Sequence, residues 1–134
     1  MTRDLRLSAA LLSLVVLAAA SCSEPPPSRR TPTLSWRPLG SWTGHGKLQT
    51  ESFTGETGSL RIRWTTKNEA PGKHGRFTVD VHSAISGRPL QTVVEHDGVG
   101  QGEAFMAEDP RIFFAVVDSA DIDWTLAIDE GVTR

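Results

Sequence analysis

Strict alternation of apolar and polar residues, recurring through the second half of the sequence, most constrains what this chain can fold into. Leu60-Arg61-Ile62-Arg63-Trp64 sends Leu60, Ile62 and Trp64 to one side and both arginines to the other. Phe77-Thr78-Val79-Asp80-Val81 repeats the pattern, and Ile122 to Ile128 extends it, with Ile122, Trp124, Leu126 and Ile128 in phase. A period of two belongs to a strand with one buried face, and such half-buried strands belong to antiparallel sheets. Ile112-Phe113-Phe114-Ala115-Val116-Val117 is apolar on both faces and predicts a central strand. Weaker strand signals lie at Leu48 to Phe53, Leu90 to Glu95 and Glu103 to Ala107. Turn-forming residues separate them at Gly55 to Gly58, Asn68 to Gly75, Ser86 to Pro89, Asp97-Gly98, Asp109-Pro110 and Asp118 to Asp121. No helical period is sustained after Thr33. Seven or eight strands in such short succession predict an all-β fold, an antiparallel β-sandwich or jelly roll, with a small closed barrel as the alternative.

The N-terminal segment has a different character. Arg3 and Arg6 precede an apolar run from Leu7 to Leu17, and the small residues Ala18, Ala19, Ala20 and Ser21 lead into Cys22, the only cysteine. This is the layout of an export signal. Ala19-Ala20-Ser21-Cys22 resembles the lipobox of bacterial lipoprotein precursors, in which small residues precede the cysteine that receives lipid. The resemblance covers the leader alone. It implies a signal peptide over 1–21, a lipid on Cys22 and attachment to a membrane of the bacterial cell envelope. An ordinary cleavage site and an uncleaved anchor are the alternatives. The first leaves a lone thiol in an oxidising compartment; the second has an apolar stretch short of the ~20 residues that span hydrocarbon.

Residues 22–33 follow as a spacer. Pro25, Pro26, Pro27 and Pro32 with Ser28, Arg29 and Arg30 cannot build a core and favour extended polyproline II. At ~3.1 Å per residue, Ser23 to Thr33 spans at most ~34 Å. Residues 34–134 then form a single domain of ordinary size. With no second cysteine, its core has no disulfide to rely on.

The net charge of −2 is not the balance of a nucleic-acid binder. The charge is unevenly spread, with twelve Lys and Arg against six Asp and Glu up to residue 94 and two against ten beyond it. The distribution predicts that basic strands of the first segment lie beside acidic strands of the second. Arg61 and Arg63 are the expected partners of Asp121 and Asp123. The competing reading is a cation site: Glu108, Asp109, Asp118, Asp121 and Asp123 would offer calcium hard oxygen ligands from loops at one end of a sandwich.

Catalytic signals are weak. His45, His74, His82 and His96 show no short metal-binding spacing. Ser83 follows His82, and neighbours on a strand face opposite ways. No Gly-x-Ser-x-Gly elbow is present. Gly98, Gly100 and Gly102 lack the phosphate-cradling arrangement and read as a flexible hairpin connection. No cofactor is implied, and the expectation is a protein that is not an enzyme. Trp64 and Trp124 fall on core phases. Trp36 and Trp42 stand at the start of the domain beside Pro38, Gly40 and Gly44, and are the candidate binding surface for a sugar or a partner protein; capping the open end of the sandwich is their other reading.

The start Ser41-Trp42-Thr43-Gly44 and the terminal run Asp121-x-Asp123-Trp124-x-Leu126-x-Ile128 resemble small β-sandwich domains of uncharacterised bacterial envelope proteins. The resemblance implies a fold and no chemistry. The reading as a whole is a membrane-tethered envelope lipoprotein that docks an envelope protein, the alternative being a glycan- or calcium-dependent binding module.

Overall fold

A computed structural model describes residues 21–134. The chain divides into two units, residues 1–30 and 31–134. The expected signal-peptide core lies outside the described residues. Residues 21–33 are exposed and without regular secondary structure, and Cys22 is a free, exposed thiol.

The second unit contains nine strands: β1 (Leu34–His45), β2 (Leu48–Gln49), β3 (Phe53–Gly55), β4 (Ser59–Lys67), β5 (Arg76–Ser83), β6 (Pro89–Asp97), β7 (Gly100–Ala107), β8 (Arg111–Ala120) and β9 (Asp123–Thr133). They form two antiparallel sheets. The first has the order β1-β9-β4-β7; the second has the order β2-β8-β5-β6, with β3 also pairing β8. The alternating residues read from the sequence meet between them. Leu60, Ile62, Trp124, Leu126 and Ile128 of the first sheet pack against Phe77, Val79, Val81, Phe113, Ala115 and Val117 of the second. The all-β sandwich is therefore the fold.

Three details of the strand layout differ from expectation. The strand foreseen over Leu48 to Phe53 is broken into β2 and β3 by Thr50. Its backbone N–H donates to Ala115 O, and its buried hydroxyl accepts from Ala115 N–H, each at 2.9 Å, so a side chain stands in for part of the ladder. The glycines expected in a flexible connection lie partly inside β7. A Cβ at Gly102 would meet the Trp64 ring at 2.7 Å, so the missing side chain makes room for a tryptophan on the next strand. Gly44 leaves the same room for Trp124, whose ring a Cβ there would meet at 2.6 Å.

The third difference is β1, which the alternation did not reveal. Up to Pro38 its residues oppose β9 in one phase, with Trp36 opposite Gly131 and Pro38 opposite Asp129; beyond a bulge at Leu39 the phase inverts, with Gly40 opposite Ile128 and Trp42 opposite Leu126. One extra residue turns every later side chain to the other face. Pro38 is tolerated because β1 is an edge strand.

The basic and acidic segments do lie side by side, but through other residues than those expected. Arg61 and Arg63 on β4 pair with Asp129 and not with Asp121 or Asp123. Arg61 donates from Nε and Nη2 at 3.1 and 2.9 Å, and Arg63 from Nε and Nη2 at 2.9 and 3.3 Å. The register sets this choice: Arg61 stands directly opposite Asp129, whereas Asp123 stands opposite Lys67 at the far end of the pairing. Asp129 is 2% exposed. Its neighbour Glu130 is fully buried on the opposite face and binds the Arg37 guanidinium. Glu130 also accepts from the Thr57 backbone N–H at 3.1 Å and the Thr57 hydroxyl at 3.3 Å.

Burial disfavours ionisation of both carboxyls, yet the arginine hydrogen bonds outweigh it and hold both below the usual carboxylate range. A depressed folded-state value adds stability above the unfolded value of about 4, and that stability is lost as pH falls through the folded values. Unfolding free energy should therefore be flat near neutrality and decline below about pH 4. Asp129→Asn should cost about 3 kcal/mol at neutral pH and make the acid decline shallower, both measurable by denaturant titration across pH.

Candidate functional site

The two sheets are joined at one end by the short connections 56–58 and 108–110, which are tied by a hydrogen bond from Glu108 N–H to Gly58 O at 2.9 Å. β1 begins and β9 finishes at this end, which we call proximal. On the outer face of the first sheet, close to it, an aromatic platform is assembled from three strands.

Trp36 on β1 extends across the sheet towards Phe105 on β7, their ring centroids 5.8 Å apart and their planes inclined by 46°. Such a tilted pair is a favourable arrangement of ring quadrupoles. The strands between them carry small residues there. A Cβ at Gly131 would come within 3.2 Å of Ser59 Oγ and 3.4 Å of Trp36. The Arg61 guanidinium carbon lies 4.6 Å from the Trp36 ring centroid, a cation–π contact. Asp129 fixes that guanidinium from beneath the side chains, so the platform is held by the same carboxylate that joins β4 to β9. Leu34 and Phe105 are 57% and 59% exposed, which leaves a large apolar edge on the platform.

The bulge at Leu39 separates the two tryptophans expected to act together. Trp36 lies on the outer face; Trp42 faces inward, packs at a tilt against Phe53 with ring centroids 5.9 Å apart and donates from Nε1 to Glu51 at 3.0 Å. Trp42 closes the sandwich, and Phe105 takes its place beside Trp36. The sequence does carry a sign of this: in the alternation of β7, Phe105 is in phase with Gln101 and Glu103, an aromatic where solvent-facing residues belong.

The carboxylates offered for calcium do not converge. Glu108 and Asp109 precede β8, while Asp118 lies near its other end and Asp121 and Asp123 follow it. At ~3.3 Å per residue, the length of that strand separates the two sets by ~30 Å. Glu108 is paired with Arg111 at 2.9 Å, and Asp109 is almost fully exposed. No cluster of three His, Cys, Asp or Glu able to hold a metal occurs among the described residues.

Asp123 belongs instead to a polar arrangement at the distal end. Asn68 Nδ2 donates to one of its oxygens at 2.8 Å, and His45 Nδ1 lies 2.8 Å from the other. The Asn68 bond, followed by that of His45, holds this carboxyl below its usual value. The dyad borders a shallow groove of about 330 Å³ lined by Thr43, Gly44, Lys67, Trp124 and Thr125, with no serine or cysteine among its lining residues. His45 is 64% exposed, and the arrangement fastens the ends of β1, β4 and β9. His82 points outward and stacks on Phe114 at 4.8 Å, while Ser83 is buried on the opposite side, so these neighbours form no catalytic pair.

The fold and platform define a small β-sandwich whose outer face bears an exposed Phe105 beside the partly buried Trp36 and Arg61. No family model, curated protein or solved structure matches the chain. Gly131→Val should displace Trp36 from Arg61, altering the near-ultraviolet circular dichroism and lowering stability by about 1–3 kcal/mol while the sandwich stays folded.

Proposed function

We propose that this protein is a lipid-anchored component of a bacterial cell envelope, tethered through Cys22, whose sandwich domain docks another envelope protein and performs no catalysis. The observation that carries the docking role is the platform of Trp36, Phe105 and Arg61. Trp, Phe and Arg are enriched at the centres of protein interfaces, and a pre-positioned guanidinium beside an aromatic loses little freedom on binding. Asp129 supplies that pre-positioning. Support for the tether comes from the lipobox-like Ala19-Ala20-Ser21-Cys22 and from the proline-rich spacer behind it. Two or more acyl chains on one cysteine give stable attachment where a single chain gives only marginal attachment. Confinement to the membrane then raises the local concentration for a modest docking surface.

A glycan is the second reading, because the same tilted pair, an exposed Phe105 against a partly buried Trp36, offers a stacking surface for a sugar.

In-cell cross-linking with mass spectrometry of both the cross-linked products and the Cys22 peptide tests the proposal. The expected result is a Cys22 peptide carrying lipid and one reproducible protein cross-linked near Phe105. Phe105→Glu removes the ring pair with Trp36, so it should lower the melting temperature by about a few degrees with the sandwich still folded, and it should reduce that cross-link by about tenfold or more, the effect of losing one interface anchor. A reproducible glycan adduct without a protein partner would select the second reading, and an unmodified Cys22 would remove the anchor.

A further inference from the structure

We infer that the proximal end of the sandwich is a second contact surface, one that rests on lipid. Among the described residues, five large apolar side chains are exposed: Leu34, Ile85, Val99, Phe105 and Ile112, at 57%, 81%, 61%, 59% and 40% exposure. They are not scattered. Leu34 opens β1, Ile85 is in the turn between β5 and β6, Ile112 is at the start of β8, and Phe105 is in the last part of β7, so four of the five belong to the proximal end. The turn that carries Ile85 is joined to the start of β8 by the Ala84 N–H to Ile112 O hydrogen bond at 2.9 Å, which sets Ile85 and Ile112 close together. Only Val99 lies at the distal end.

Two features identify the occupant as a lipid surface. The first is covalent: the spacer from Cys22 enters the domain at Leu34, so the end bearing the apolar residues is the end to which the proposed anchor is attached. The second is charge. At the proximal end Glu56 and Glu108 are each paired with an arginine and Asp109 lies 3.7 Å from Arg111, whereas the distal end carries Glu69, Glu95, Asp97, Asp118, Asp121 and Asp123 against Lys47, Lys67, Lys73 and Arg76, an excess of acid that an anionic bilayer would repel. Exposed isoleucine and leucine beside aromatic and arginine side chains suit the boundary between headgroups and acyl chains. Contact through Ile85, Ile112 and Leu34 would stand the sandwich on end, its strands steeply inclined to the membrane surface, with Trp36 and Phe105 of the platform facing sideways towards neighbouring proteins.

This inference rests on attachment at Cys22, so its test supplies the attachment chemically. The chain from Cys22 onward retains all nine strands. Its single thiol is coupled to a maleimide-bearing phospholipid in phosphatidylethanolamine and phosphatidylglycerol vesicles that contain a diazirine-bearing phosphatidylcholine. After photolysis, lipid adducts are mapped by peptide mass spectrometry. The expected result is several-fold more adduct on the peptides containing Ile85 and Ile112 than on the one containing Val99. Ile85→Glu, in an exposed turn, should remove most of the adduct at Ile112 without changing the melting temperature. Equal labelling of the two ends, or labelling confined to residues 22–33, would overturn the lipid contact. Either result leaves the separate question of cellular lipidation to the mass of the Cys22 peptide.

Discussion

The carboxylate of Asp129 is the interaction on which the rest of the first sheet depends. It lies on β9, the one strand that pairs with both β1 and β4, and it binds Arg61 and Arg63 together. Two guanidiniums along one face of a strand repel each other. A single buried carboxylate opposite the first of them offsets that repulsion and aligns β4 against β9. The adjacent Glu130 acts on the other face, binding Arg37 of β1 and the Thr57 turn. Consecutive acidic residues thus fasten β9 to both its neighbours, each from its own side of the sheet. Both are buried anions; loss of Arg37 would leave Glu130 without a cation, whereas Asp129 would keep one arginine on loss of the other.

The same interaction links stability to the proposed docking surface. Arg61 reaches Trp36 only because Asp129 holds it across the strand. The aromatic platform is therefore an extension of the sheet's internal pairing, built on rigid strands instead of loops. Surface loops carry binding sites in many sandwiches because they vary freely. Here the sheet face supplies the proposed site, which gives a fixed geometry at little entropic cost.

Much of the fold was legible because period-two alternation is a direct consequence of strand geometry. The segments around Leu60, Phe77, Ile112 and Ile122 all became strands, with their apolar phase inward. What escaped was any feature that depends on register or on a change of phase. Local alternation cannot show that Arg61 faces Asp129, since that follows from how β4 slides against β9. Nor does it place Trp36 and Trp42 on opposite faces, because their even spacing suggests one face until the extra residue at Leu39 is known. Pro38, Gly40 and Gly44 further obscured β1, a strand maintained by its partner more than by its own propensity. Trp36 was legible as a surface aromatic from its position at the start of the domain. Phe105 was discoverable from its phase, and Arg61 was visible only as half of an ion pair.

The glycines beneath the aromatic rings carry a different implication. Gly44 accommodates Trp124, and Gly102 accommodates Trp64, in each case through a ring lying across the neighbouring strand. Large and small residues are thereby matched in pairs distant along the chain. A side chain gained at either glycine requires volume to be lost from its tryptophan, and a smaller residue at either tryptophan opens a void over a glycine. Divergence at these positions must proceed by coupled exchanges. Among descendants of this sequence, the pairs 44 with 124 and 64 with 102 should change together or remain as they are.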